Sequence, residues 1–237
     1  MPLRAALFDV DFTIAKPGPD LGPEGYRRLG ERFGLELDPG RYGKARALAV
    51  ETLERHPELD HDEQVWVLFT EQIIRGMGAD TGRAYECALE MTRAWEHAHN
   101  FQIFDDVLPV LAELRAHRLK IGLVSNTGRN LDEFVAHHGL DVDGAVSSGA
   151  HGKTKPHPTI FQAALERLHV EPADAVMVGD SIEDDVEGAN AVGMRGILLD
   201  RENRYPDVDE KLTDLLELPA TLGLRRPDDR PAQQLNT

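Results

Sequence analysis

Apolar residues follow two rhythms along this chain. Five short runs rich in Ala, Val, Ile, Leu and Phe have the length and composition of buried strands: Leu3 to Phe8, Lys120 to Val124, Gly144 to Ser147, Ala175 to Val178 and Gly196 to Leu199. Between the later runs lie stretches with apolar residues three and four apart, at Val107 to His117, Leu131 to His138, Ile160 to Leu168 and Val186 to Val192. Apolar strands alternating with amphipathic helices predict the α/β class, a parallel sheet covered on both faces.

The first run breaks the alternation, because the next of its kind begins only at Lys120. The intervening residues carry helical patterns at Pro23 to Phe33, Arg41 to Arg55, Asp62 to Arg75 and Thr81 to His97, punctuated by Gly and Pro and without a strand signal. Together these predict a discontinuous, Rossmann-like core domain, residues 1–15 and 101–224, with an all-helical domain of residues 16–100 inserted in it. Lys16-Pro17-Gly18-Pro19 reads as the linker in, and Asn100 to Asp106 as the way out. Residues 225–237, polar and Pro-bearing, read as a flexible tail.

Composition narrows the partners. At 237 residues with 41% hydrophobic side chains, the chain can fill a core of one domain plus an insertion. Its 26 Lys and Arg against 42 Asp and Glu give a net charge of −16, opposite to the footprint of a nucleic-acid or anionic-membrane partner. The single Cys87 excludes an internal disulfide framework and a Cys-rich zinc module. With Asp9 interrupting the first apolar run and no stretch near the roughly 18 apolar residues of a membrane span, a cytoplasmic protein is expected. So acidic a chain handles anionic metabolites only where a divalent cation or a local basic group reverses the field.

In parallel α/β sheets ligands bind at the carboxyl ends of the strands. The first run ends in Asp9-Val10-Asp11-Phe12-Thr13, the second in Ser125-Asn126-Thr127, and the fourth in Gly179-Asp180-Ser181 followed by Asp184 and Asp185; Lys155-Pro156 precedes the helix after the third. Any one of these segments is an ordinary turn, since Asp, Asn, Ser and Gly are the usual turn formers. Their joint occurrence in one sheet is what calls for another explanation.

The four segments, in this order, resemble the motifs of the haloacid dehalogenase-like (HAD) hydrolase superfamily, over a span from Leu3 to about Leu199. The inserted helices occupy the place of that family's helical type 1 cap, and Asp11 places the resemblance on its phosphatase branch. A phosphate monoester hydrolyses so slowly unaided that its enzyme needs a nucleophile, charge neutralisation and a proton donor. An Asp is ionised at neutral pH and attacks without an activating base. The resemblance implies that Asp9 becomes the aspartyl-phosphate while Asp11 protonates the leaving oxygen and then activates water. It further implies Mg²⁺ on the Asp9 and Asp180 side chains and the Asp11 carbonyl, Ser125 and Asn126 at the substrate phosphate, and Lys155 neutralising nucleophile and phosphoryl oxygens. Asp185 is preferred to Asp184 as the support for the metal, because Gly188-Ala189 follows it at the family's spacing.

The expected activity is therefore Mg²⁺-dependent hydrolysis of a small phosphorylated metabolite, with the substrate and oligomeric state left open. A phosphomutase and a 2-haloacid dehalogenase of the same fold are the alternatives, followed by a non-catalytic binding protein. Dehalogenases lack the second aspartate of the first motif, which Asp11 supplies here. Phe12 stands where relatives mostly have Gly and His157 where they commonly have Asp; Lys153, the rival of Lys155, reads as a solvated loop residue. Arg27, Arg28, Arg41, Lys44 and Arg46 read as a solvated basic face, Trp66 and Trp95 as core of the insertion, and His97, His99, His137 and His138 as surface residues, the ten His showing no zinc spacing.

Overall fold

A computed structural model describes residues 3–53, 55–79 and 82–224; the tail expected at 225–237 lies outside the described residues. In chain order the strands are β1 (Ala5–Phe8), β2 (Ala15–Pro17), β3 (Phe101–Ile103), β4 (Lys120–Ser125), β5 (Gly144–Ser147), β6 (Ala175–Gly179), β7 (Arg195–Leu199) and β8 (Lys211–Leu212). All but β2 and β3 join one parallel sheet in the order β5-β4-β1-β6-β7-β8. From β1 the chain builds β4 and β5 on one side and then crosses to β6, β7 and β8 on the other, and a crevice opens at the carboxyl ends where the order switches.

Among the described residues four α-helices lie between β2 and β3: α1 (Pro23–Arg32), α2 (Tyr42–Glu51), α3 (Glu63–Gly76) and α4 (Ala84–Ala94). The core adds α5 (Val107–Ala116), α6 (Leu131–His138), α7 (Ser148–His151), α8 (Pro158–Leu168), α9 (Gly188–Ala191) and α10 (Leu218–Thr221). Local chemistry sets their ends. Asp62 caps α3 by accepting the Gln64 N–H, and Val67, Thr70, Ile73 and Ile74 form its buried stripe. Asn130 caps α6, which stops at Gly139 in the left-handed region that favours glycine, φ 62°.

Alternation along β1 divides the core between two faces. Ala6 and Phe8 pack with Val110, Leu111 and Leu114 of α5 and Phe134 of α6, whereas Ala5 and Leu7 pack with Ile160, Phe161, Leu165 and Leu168 of α8. With both faces covered, β1 reads as a continuous apolar run and its position at the sheet centre is fixed.

The structure departs from the periodicity in four places. β2 pairs antiparallel with β3, so Lys16 and Pro17, expected as linker, form a ribbon that closes the base of the insertion. Three-residue strands carry too little alternation to read from sequence, and the same holds for β8. The helix expected at Arg41 to Arg55 stops at Glu51; the Thr52 hydroxyl donates back to the Leu48 carbonyl, and Pro57 disfavours helical backbone at His56. The helix expected from Val186 begins as a π-helical turn, Ile182–Glu187, before α9. Among the described residues no helix is long and apolar enough to cross a membrane.

Asp106 ties the far side of the sheet together. Its carboxylate accepts a fork from Arg201, at 2.7 and 2.9 Å, and the Leu215 N–H at 2.9 Å. Burial opposes its ionisation, but these hydrogen bonds and the Arg201 charge hold its pKa below the ordinary value. Such a carboxylate stabilises the fold fully above its unfolded pKa of about 3.9, and the contribution is lost as pH falls through the lower native value. Asp106→Asn is therefore expected to lose about 2–3 kcal/mol in denaturant titration at pH 7, with the deficit shrinking toward pH 3. A deficit that grows on acidification contradicts this linkage.

Candidate active site

The site grows from the end of β1. The Asp9 N–H extends the pairing with β6 by donating to the Val178 carbonyl at 2.9 Å, and Val10 turns into the core. The chain then folds tightly back: Ile14 and Ala15 N–H groups both donate to the Val10 carbonyl, and Phe12 takes φ 68°. A side chain in this left-handed conformation costs about 1–2 kcal/mol relative to glycine. The Phe12 ring is covered by the Arg46 guanidinium of α2, 4.9 Å from its centroid.

Asp9 is buried and faces Lys155, whose Nζ donates to Asp9 Oδ1 at 2.6 Å and to Asp185 Oδ1 at 2.7 Å. Asn126 holds the Lys155 backbone at two points, accepting its N–H at 2.6 Å and donating to its carbonyl at 3.1 Å. Asn126 thus orients the lysine from the end of β4, while Ser125 beside it is buried. His157 acts next door as the N-cap of α8, its Nδ1 accepting the Thr159 N–H. Lys153 reaches the insertion instead, donating to the Glu58 carbonyl at 2.8 Å and pairing with Asp60 at 2.7 Å.

Asp9, Asp180 and Asp185 each place a carboxylate oxygen within 4.8 Å of the others. Three carboxylates against the Lys155 ammonium and the Arg204 guanidinium on Asp180 leave excess negative charge. Burial, then repulsion by Asp185 and Asp180, holds the Asp9 pKa well above the carboxylate range despite Lys155. Burial and Asp185 push Asp180 up to about 6, against the pull of Arg204. Lys155 stays protonated, because Asp185 and Asp9 outweigh the effect of burial and raise its pKa. A crowded set of hard oxygen donors that favours any added positive charge suits Mg²⁺ rather than a softer metal.

Of the adjacent pair in the fourth motif, Asp185 belongs to this group. Its Oδ2 also accepts the Ser181 N–H at 3.0 Å, and a Cβ on Gly179 would stand 2.1 Å from its Cγ, so only glycine leaves it room. Asp184 turns to the insertion and pairs with Arg55. The Asp11 side chain lies outside the carboxylate group, which leaves its backbone carbonyl for the metal role that the sequence resemblance implies.

Two basic residues were missed by the sequence reading. Arg129, its side chain 1% exposed, donates from Nη2 to both Asp11 oxygens at 2.9 and 3.0 Å and from Nε to the Trp95 carbonyl at 3.2 Å. Its guanidinium lies 3.7 Å from the centroid of the Phe101 ring, fixing it between Asp11 and the C-terminal end of the insertion. The signal available was position, three residues beyond Asn126. Arg204, from the loop after β7, donates to both the carboxylate and the backbone carbonyl of Asp180.

These groups open into a cavity of about 290 Å³ between the strand ends and the helical insertion. Trp66 and Trp95, expected as core, line it, and Arg46, expected on a solvated face, is half-buried at its edge.

Comparison with known proteins agrees with this placement. A family model of haloacid dehalogenase-like hydrolases matches residues 3–193. The human haloacid dehalogenase-like hydrolase domain-containing protein 3 is 30% identical over 209 residues, 84% of this chain and 82% of that one. The crystal structure of a HAD phosphatase from Thermococcus onnurineus superposes with a TM-score of 0.64 at 32% identity, covering 94% of this chain and all of that one. A 2-haloacid dehalogenase from Pseudomonas syringae pv. Tomato superposes with a TM-score of 0.61 at 26% identity, covering 93% and 98%. With its six-stranded parallel sheet, its helical insertion and its strand-end carboxylates, the chain belongs to the haloacid dehalogenase-like hydrolases.

Proposed function

We propose that the protein is a Mg²⁺-dependent phosphatase that hydrolyses a small phosphate monoester through an aspartyl-phosphate on Asp9, beneath a cap formed by residues 16–100. The observation that carries this reading over dehalogenation is Asp11, two residues beyond the nucleophile and held there by Arg129. Carbon–halogen displacement releases a stable anion and needs no proton relay, whereas an alkoxide leaving from phosphorus does.

In the first step an Asp9 oxygen attacks phosphorus as the ester P–O bond breaks, and the departing oxygen takes the proton of Asp11. In the second, Asp11 accepts a proton from water as that water attacks phosphorus, which returns Asp9 and releases phosphate. Lys155, 2.6 Å from Asp9 Oδ1, steadies the nucleophile and neutralises the phosphoryl oxygens brought to it, and Ser125 and Asn126 line the same cavity. Asp9, Asp180 and the Asp11 carbonyl, with Asp185 beside them, would hold Mg²⁺, which when bound supplies the positive charge that two anionic reactants require.

The test is release of p-nitrophenol from p-nitrophenyl phosphate with Mg²⁺ and with EDTA, run beside halide release from 2-chloropropionate. Turnover that EDTA abolishes, without halide release, is the expected result. Metal-independent halide release without phosphatase turnover overturns the reading.

A further inference from the structure

The cavity that receives the leaving group has a composition of its own. Both tryptophans of the chain, two of its four tyrosines and two of its eight phenylalanines line it: Trp66, Trp95, Tyr26, Tyr42, Phe12 and Phe69. These rings brace one another edge to face, Tyr26 on Tyr42 at 5.2 Å and Trp66 on Phe69 at 6.1 Å, so the walls are stiff as well as apolar.

The charges around this lining are distributed unevenly. Lys155 is engaged by Asp9 and Asp185, and Arg129 by Asp11. Arg46 is stacked on Phe12, beside the nucleophile loop. The charged groups that the insertion adds elsewhere in the lining are Glu63 and Glu96. Away from Arg46, a leaving group bearing a carboxylate or a second phosphate would meet aromatic faces and like charge, at a cost in desolvation that those walls do not repay.

We infer that the phosphatase selects phosphate monoesters whose organic part is an uncharged aromatic group of one or two rings, and discriminates against short esters that carry a second anion. The inference rests on the phosphatase reading and names its substrate class. A volume of about 290 Å³ sits at the small end of ligand pockets, about 300–1,000 Å³, and suits such a compact group.

Benzyl phosphate and 2-phosphoglycolate are a matched pair, since both release a primary alkoxide and differ in bearing a ring or a carboxylate. Their kcat/KM values are to be measured with Mg²⁺ for the wild type, Trp66→Ala, Trp66→Phe and Asp9→Asn. Benzyl phosphate is expected to be preferred at least about tenfold, with the preference falling about tenfold in Trp66→Ala and recovering in Trp66→Phe. A wild-type preference for phosphoglycolate, or a Trp66→Ala effect equal on both esters, overturns the inference while Asp9-dependent hydrolysis leaves the phosphatase reading standing. Hydrolysis that survives Asp9→Asn sinks that reading, and this inference with it.

Discussion

Asp9→Asn is expected to lower kcat for phosphate ester hydrolysis by about 10⁴-fold or more, because an amide oxygen does not form the covalent intermediate. The replacement is nearly isosteric, so the loss is chemical rather than structural. Asp9 sits among Asp180 and Asp185, and burial with their repulsion already raises its pKa. Removing one charge from this group relieves repulsion, so the variant should fold with undiminished thermal stability. A fully folded Asp9→Asn enzyme that keeps more than a tenth of the wild-type rate contradicts the assignment.

Lys155→Met should damage both stability and activity. The ammonium is buried and bridges Asp9 and Asp185 at 2.6 and 2.7 Å, and Met fills similar space with no charge. Two buried carboxylates then lack their counter-ion, which costs about 3–5 kcal/mol in metal-free protein at pH 7. The sign of the pH dependence follows. With Lys155 gone the native pKa of Asp9, already raised by burial, rises further above the unfolded value, the native state takes up protons, and the variant gains stability relative to wild type as pH falls. Denaturant titrations at pH 7 and pH 5 should show the gap to wild type narrowing at pH 5; a gap below about 1 kcal/mol at pH 7 contradicts the bridging role.

What the sequence made legible follows from which interactions are local. β1, β4, β5, β6 and β7 are central or doubly covered, so burial writes them as continuous apolar runs, and the polar residues at which those runs stop are the ones that meet in the crevice. β2, β3 and β8 have two or three residues each and exist through their pairing, which no periodicity records. The cationic partners share that property. Arg129 meets Asp11, Arg204 meets Asp180 and Arg55 meets Asp184 across long stretches of chain.

The same limit explains the adjacent carboxylates. The spacing of Gly188-Ala189 preferred Asp185 but kept Asp184 as an alternative, and what separates the two side chains is the lack of a Cβ on Gly179 and the π-helical turn that aims Asp185 inward. Trp66, Trp95 and Arg46 were read as core or solvated face because an amphipathic helix that packs over a cavity shows the same stripe as one that packs over a core.

The measurement that bears most directly on the central claim is the position of the phosphoryl group during turnover. Enzyme mixed with Mg²⁺ and p-nitrophenyl phosphate is stopped in acid, digested and mapped by mass spectrometry, with Asp11→Asn run in parallel. p-Nitrophenol leaves without protonation, so Asp11→Asn should form the covalent intermediate at speed and hydrolyse it slowly. The account predicts phosphoryl label on the peptide containing Asp9, strongest in Asp11→Asn and absent in Asp9→Asn. Full turnover by Asp11→Asn with no label at Asp9 would contradict it.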